Sequence, residues 1–507
     1  MKLLFDYDKT ELFDVNKNGI QLIDHGDAIE IYNDPFRTVP LFITKNKSDE
    51  LIIFSEFKDY YDFELVDRSV DEAGFWEIVI FGSGLWTRTL YKNVEQMPSA
   101  TCITINKKSK KYKIARYWHY EIKEDKSIQS IEQAADGMYE ILDNIFSTLD
   151  KKQLYLMGMS GGLDSRITLA FLAKHIPKNN IKLFTFGFDE NILEYVYAKE
   201  VANSLEVDTP YFHQLTATSY KEALNYLPSL SGGQISINHC HILDYFRKNK
   251  FTNFQHITTY FSDAVFGYDC TYPKNFEDIQ FNYYAKTLSN NKHIPPAIKE
   301  VITNDSLKIF AGYDAGTNFS TLDEFKYVTE RNQKFHMLLA SLQGRYVETD
   351  FIYANIRLLR YCISMPIEYR QNKIVVDTLL DKYFKDISSS SLNNISSRDA
   401  KSSTTSFQWG SKFASLFNWH FFRTINRANS LLRVLTRGKF QILNKYQTEE
   451  HERLLYADFR CDLHAATAKF LGLGILSADH KKELDKLPIR SAGVAERYAL
   501  ISLAKII

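Results

Sequence analysis

Leu154-Tyr155-Leu156-Met157-Gly158-Met159 runs directly into Ser160-Gly161-Gly162-Leu163-Asp164-Ser165-Arg166. A short apolar run stops at a Ser/Gly turn and a helical pattern follows, which reads as a strand, a tight loop and a helix N-terminus. Paired glycines let the backbone turn sharply and bring its N–H groups close to a ligand. The helix adds the positive end of its dipole and its unpaired first-turn donors. Such a site suits phosphate, held by the backbone from Ser160 through Leu163 and by the hydroxyls of Ser160 and Ser165. Asp164 would repel a bare polyphosphate and makes chemical sense as a Mg²⁺ ligand, the metal bridging protein and phosphates. The competing reading of an SGG triplet is an ordinary turn with Gly for positive φ and Asp or Ser as caps. A second triplet, Ser231-Gly232-Gly233, follows no clear apolar strand and shows how little the triplet alone decides.

The longer string Ser-Gly-Gly-Leu-Asp-Ser is more specific. Its spacing differs from the dinucleotide and Walker A glycine patterns, and it lacks the Walker lysine. It resembles the pyrophosphate-binding loop (PP-loop) of the ATP pyrophosphatase superfamily, and within it the synthetase domain of the asparagine synthetase family. The resemblance implies an α/β parallel-sheet PP-loop synthetase domain that uses ATP and Mg²⁺.

The chain has 507 residues, room for two or more well-buried domains. Charged residues make up 24 % with a formal net charge of +0, so no global field points to nucleic acid. The 36 Phe and 31 Tyr point to large cores. Cys102, Cys240, Cys270, Cys362 and Cys461 show no CxxC spacing, which argues against a zinc site or disulfide framework. A reducing cytoplasm is the expected location. No signal-peptide core opens the chain, and no apolar run reaches membrane-span length.

Up to about Tyr120 the pattern is short β-type runs between turns: Ala28 to Tyr32, Leu51 to Phe54, Trp76 to Phe81 and Ala100 to Ile105. An antiparallel, β-rich domain over 1–125 is expected. Val39-Pro40-Leu41-Phe42, Phe54-Ser55-Glu56-Phe57-Lys58, Arg88-Thr89-Leu90-Tyr91 and Tyr117-Trp118 resemble, in order and spacing, the glutaminase-like Ntn-hydrolase domain of asparagine synthetases. Glutamine-hydrolysing members use a cysteine directly after the initiator methionine as nucleophile. That position is Lys2, and Cys102 lies in a strand-like run that suits a buried structural thiol. The expectation is a degenerate glutaminase-like domain, with nitrogen arriving as ammonia, from a separate glutaminase, or as an amine on the substrate.

Ile122 to about Ile128 reads as a linker into a second domain over 126–507, whose part from about 407 is basic and helical. Ser130 with Gln133 can form a capping box before an amphipathic helix. After the phosphate loop come a helix to about Lys174, a turn at Pro177 and the buried-strand run Ile181 to Gly187, a parallel βαβ unit. Ligands in such sheets sit beyond the C-terminal strand ends, so Phe186 and Gly187 are expected beside the nucleotide base. Glu194, Ala198 and Val201 share one helix face, in the order that related synthetases show.

The second informative stretch is His256-Ile257-Thr258-Thr259-Tyr260-Phe261-Ser262-Asp263-Ala264-Val265-Phe266-Gly267-Tyr268. By itself it reads as an apolar run ending at an N-capped helix. In the resembling family the matching aspartate helps hold Mg²⁺, which implies Asp263 as a second metal ligand and Ser262 as a nucleotide contact. Ala264 replaces the family's glutamate, Phe261 a glycine, and Asn355 an aspartate further on. Ser388 to Ser406, rich in Ser and Asn, is expected to form a mobile lid. Within it Arg398-Asp399-Ala400-Lys401 lies where relatives carry a basic Arg-x-Lys element, implying a catalytic Lys401 that neutralises leaving pyrophosphate; a solvated loop lysine is the other reading. From Lys401 to Thr448 no acidic residue occurs. That basic, aromatic stretch can pack on its own domain or make peripheral contact with an anionic membrane.

The resemblance implies a carbon–nitrogen ligase that adenylates a substrate carboxylate and transfers ammonia or an amine to it, with Asp164 and Lys401 catalytic. Arg166 directly after the motif resembles the relatives associated with surface polysaccharide synthesis, which implies a sugar uronate as acceptor. The alternatives are a macrolactam synthetase of the lasso-peptide kind and a non-catalytic nucleotide-binding relative.

Overall fold

The computed structural model describes residues 1–63, 66–190, 192–267, 273–280, 284–310, 313, 317–388, 454–455, 458–485 and 494–507. In the first 120 residues the alternating and apolar runs form two sheets. One has the order β1 (Lys2–Leu4), β6 (Leu51–Phe54), β5 (Phe42–Lys45), β7 (Val94–Gln96). The other has the order β2 (Asp8–Lys9), β3 (Ile20–Asp24), β4 (Ala28–Asn33), β8 (Thr101–Asn106), β9 (Tyr112–Arg116). Period-two alternation sends Ile29 and Ile31 of β4 inward, where Ile31 and Ile103 share a core with Ile43 and Ile53 of the other sheet. The expected antiparallel pairing is modified in two places: β1 runs parallel to β6, and β2 parallel to β3.

One expected strand is a helix. Trp76 to Phe81 lies within the helix Glu72–Phe81, buried nearly all round, so its apolar run shows no helical face. The caps decide the conformation. Asp71 accepts from the Gly74 N–H at the N-terminus, and Gly82 closes the helix in the left-handed region at φ 85°.

Tyr120 is buried and donates its hydroxyl to Glu324, and the Ile122 N–H donates to Thr321, so the linker is pinned at its start. Ser130 caps the helix Ile131–Ser147 as expected, accepting from the Gln133 N–H. The Gln133 side chain reaches one residue further back than a capping box requires, accepting from the Gln129 N–H.

The central sheet is parallel throughout, in the order β12 (Tyr211–Gln214), β11 (Ile181–Gly187), β10 (Leu154–Gly158), β13 (Phe254–Ile257), β14 (Glu348–Asp350). Tyr155, Leu156 and Met157 of the middle strand are all buried, as expected of a strand covered on both faces. The helix Leu163–His175 joins β10 to β11, and Ala198 and Val201 bury one face of the helix Leu193–Ser204. Strand β14 interrupts the run of helices between Phe319 and Tyr383; it takes its place by pairing with β13.

The helices Arg460–Gly472, Ala478–Leu484 and Val494–Leu503 supply the C-terminal part. They close on the N-terminal part: Phe470 meets Phe75 edge-on at 4.8 Å, and His480 stacks on Trp76 at 5.5 Å. One apolar core therefore runs from Phe42 and Trp76 through Met157 and Val265 to Leu379 and Phe470. Among the described residues no helix is long and apolar enough to cross a membrane. The basic stretch from Lys401 to Thr448 lies outside the described residues.

Candidate active site

The loop after β10 is fixed from both sides before any ligand is considered. The Met159 N–H donates to the Phe184 carbonyl at 2.8 Å, and the Thr185 hydroxyl donates to the Met159 carbonyl at 2.5 Å, tying the loop's entry to β11. Ser165 donates to the Gly162 carbonyl at 2.9 Å, and Gly162 N–H donates to the Ser160 hydroxyl at 3.4 Å. Ser160 and Ser165 hydroxyls lie 3.3 Å apart. Leu163 is buried and opens the helix that carries Asp164 in its first turn.

Gly161 is required twice over. Its φ is +76°, and an added Cβ would lie 2.5 Å from the Tyr197 Cβ on the neighbouring helix. Gly161→Ala is therefore expected to destabilise the protein by at least about 1–2 kcal/mol from the left-handed backbone alone, and to weaken ATP binding roughly tenfold or more by moving the loop amides. Thermal unfolding and calorimetric titration with ATP measure the two effects; near-wild-type values in both would refute this account of the loop. The other SGG triplet ends a helix instead: Gly232 and Gly233 follow Leu227–Ser231 and press on Phe57 and Leu503.

Asp164 and Asp263 come together as expected, one on β10's loop and the other on the turn after β13. Phe261 adopts φ +75° immediately before the short helix Ser262–Phe266, and Ser262 donates to Asp164 Oδ2 at 2.8 Å. The expected nucleotide contact Ser262 thus orients the expected metal ligand.

The group the sequence reading missed is Lys373. Its ammonium lies 2.6 and 2.7 Å from the two oxygens of Asp164 and 2.5 Å from Asp263 Oδ1, with the side chain 9 % exposed. Burial works to lower the ammonium, but the two carboxylates outweigh it and hold Lys373 above the usual lysine value. Burial pushes the Asp164 carboxyl above its ordinary value against the pull of Lys373. The backbone that delivers the lysine is unusual: Asn372 and Lys373 have φ +53° and +58°. It is held by Arg370, fully buried and bidentate to Glu324 at 3.0 and 2.8 Å, with Tyr120 donating to the same carboxylate at 2.7 Å. A non-glycine pair in this region persists only when its surroundings over-determine it, and such pairs cluster at functional sites.

Phe186 and Gly187 end β11 at the expected edge of the sheet. Phe186 stacks on His241 at 4.4 Å, and Gly187 leaves only 2.3 Å between an added Cβ and Ile192 Cδ1. Arg166 lies in the interior, donating to the Ile387 carbonyl at 3.1 Å. Asn355 has a structural role: its side chain accepts from Leu358 N–H at 3.0 Å and caps the helix Ile356–Ser364, which aspartate would do equally well. Cys102 is a buried strand thiol, raised above its ordinary value by burial. Lys401, Tyr268 and all of the expected lid after Ser388 lie outside the described residues.

A glycine-rich loop on the middle strand of a parallel sheet, opening a helix and facing an acidic turn on the next strand, resembles the PP-loop synthetase fold. Residues 149–384, somewhat under half of the chain, match the family model described as asparagine synthase. Two NAD synthetases are among the solved structures that share likeness with the chain. The NH3-dependent NAD synthetase of Campylobacter jejuni subsp. jejuni, in complex with nitrate, is 16 % identical over 41 % of this chain and 96 % of its own, with a TM-score of 0.22. The glutamine-dependent NAD+ synthetase of Acinetobacter baumannii, in complex with ADP, is 15 % identical over 48 % of this chain and 51 % of its own, with a TM-score of 0.20. No curated protein gives a significant match.

Proposed function

We propose that the protein adenylates a substrate carboxylate and then transfers ammonia or an amine to it. A carboxylate oxygen attacks the α-phosphorus of ATP, the bond to the β-phosphate oxygen breaks, and pyrophosphate leaves. The nitrogen lone pair then attacks the acyl carbon, AMP departs, and the nitrogen loses a proton. The observation that carries this reading is the convergence of Asp164 and Asp263 on one cation beside the Ser160 to Ser165 loop.

That cation is a lysine ammonium, and it serves as a stand-in that tests the site for Mg²⁺. The donors are hard carboxylate oxygens, two in number, which suits a metal completed by phosphate oxygens and water. Asp164 and Asp263 are the residues that would hold it. When bound, Mg²⁺ would stabilise negative charge on the departing pyrophosphate. Lys373 would then turn from the carboxylates to the phosphates, the role expected of Lys401 on sequence grounds. The loop amides from Gly161 to Ser165 orient the phosphates, and Phe186 and Gly187 flank the base.

The acceptor class proposed is a sugar uronate of surface polysaccharide, supported by the arginine that follows the motif. The nitrogen donor is free ammonia, a separate glutaminase or a substrate amine. The test is ATP/pyrophosphate exchange in Mg²⁺ with a panel of sugar uronates, amino acids and peptides. Uronate-dependent exchange is the expected result, and peptide-dependent exchange would move the assignment to macrolactam formation. Absence of exchange with every acid, together with absence of Mg²⁺-dependent ATP binding, would overturn adenylation.

A further inference from the structure

A small cavity lies where the N-terminal part meets the helix Tyr327–His336, with none of the Ser160 to Ser165 loop in its lining. Arg37, Ser99, Arg116, Phe325, Glu330 and Lys334 are among its lining residues, and it has room for a guest about the size of a water molecule. Its electrostatics do not close. Lys334 spends its three donors on the carbonyls of Gly84 and Trp86 and on Glu330 at 2.6 Å, so the one carboxylate on the cavity wall is already hydrogen-bonded to a cation, although its charge also reaches Arg37 and Arg116. The two guanidinium groups have only neutral acceptors. Arg37 reaches Gln96 Oε1 at 3.1 Å and the Gln333 carbonyl at 3.5 Å; Arg116 reaches the Ser99 carbonyl at 3.2 Å and lies over the Phe325 ring at 5.0 Å.

Arg37 is 1 % exposed, and the Nε of both arginines is buried without an acceptor. Neither forms an ion pair among the described residues. Glu77, the other buried acid nearby, is taken up by the Leu85 N–H at 2.8 Å and faces Arg88 at 3.7 Å. A guanidinium does not shed its proton to escape burial, and an isolated buried charge costs several kcal/mol. Burial lowers Arg37 to about 10, a cost that the nearby Glu330 charge relieves only in part. The position is also built rather than incidental. Arg37 adopts φ +57°, and its turn is fixed by buried Asp34, which accepts from the N–H groups of Phe36 at 2.8 Å and Gly19 at 2.9 Å and from the Thr38 hydroxyl at 2.5 Å.

We infer that this cavity is a binding site for a single halide-sized anion, chloride in practice, held between the guanidinium groups of Arg37 and Arg116. The size of the space rejects phosphate and carboxylate metabolites, and the three cations Arg37, Arg116 and Lys334 against the single carboxylate of Glu330 favour an anion over a neutral water. The bound ion joins the loop after β4 and the end of β9 to the helix Tyr327–His336. The same loop carries Phe36, which meets Phe261 edge-on at 4.9 Å, two residues before Asp263.

Two measurements test this on the full chain. Crystals soaked in sodium bromide and measured at the bromine absorption edge are expected to show one anomalous peak within contact of Arg37 and Arg116. Thermal unfolding at constant ionic strength is expected to rise saturably, by about 2 °C or more, as chloride replaces gluconate, with the rise lost in Arg37→Met and reduced in the milder Arg116→Gln. A neutral water in place of bromine density, with equal unfolding temperatures in chloride and gluconate, would overturn the assignment. Because the crystallographic arm uses the wild-type chain, failure of Arg37→Met to fold leaves the inference open to refutation.

Discussion

Asp164→Asn is expected to reduce carboxylate-dependent ATP/pyrophosphate exchange by roughly 10³-fold or more, while the protein stays folded. Asparagine keeps an oxygen that can accept from Ser262, now at 2.8 Å, and from Lys373, so packing at the loop is little changed. What it removes is one of the two carboxylate charges aimed at the cation position. With Asp263 alone, Mg²⁺ loses half of its protein donors, and Lys373 loses the partner that contacts it through both oxygens. Calorimetric titration should show weakened Mg²⁺-ATP binding, with unfolding within about 2 kcal/mol of wild type. Exchange within tenfold of wild type would remove Asp164 from the metal-binding role.

Lys373→Met is expected to impair both stability and turnover. It leaves two carboxylates facing each other, and breaking a buried pair in this way costs about 3 kcal/mol, the low end of the usual range, because the Asp263 side chain is 34 % exposed and partly screened. The sign of the pH dependence follows. Without the ammonium, burial and the Asp263 charge both push the Asp164 carboxyl up. A carboxyl raised in the folded state favours folding when protonated, so the deficit is smallest in acid and grows as pH rises through the carboxylate range. Added Mg²⁺ should restore more stability to the variant than to wild type, since in wild type the metal competes with Lys373 for the same oxygens. Exchange should remain at least tenfold down at saturating Mg²⁺. A deficit independent of pH and insensitive to Mg²⁺ would show that the two aspartates do not form one cation site.

The loop from Ser160 to Ser165 is legible in sequence because it ends an apolar strand and opens a helix, whereas Asp263 as the partner of Asp164 comes only from the family resemblance, its own segment reading by itself as a capped helix start. Lys373 is not legible, because its partner Asp164 lies 209 residues away and only the turn fixed by Glu324 and Arg370 brings the two together. Strand β14 is three residues, Glu348–Asp350, without an apolar pattern; its conformation comes from its neighbour. The helix Glu72–Phe81 was concealed by its own burial, which erased the periodicity that distinguishes a helix, although Asp71 and Gly82 marked both ends.

The contact of Phe36 with Phe261 has a bearing on how such a chain changes over generations. If residues 1 to 120 do no chemistry of their own, drift would be expected to erode them once a nucleophile is lost. Their side chains instead supply part of the wall behind the turn that presents Asp263, and the buried Tyr120 hydroxyl helps to hold the carboxylate that steadies Arg370 and the Lys373 turn. On the proposed function, selection on ligation would reach into the N-terminal sheets, and a substitution at Phe36 or Tyr120 would be filtered by its effect on the proposed phosphate site far downstream in the sequence.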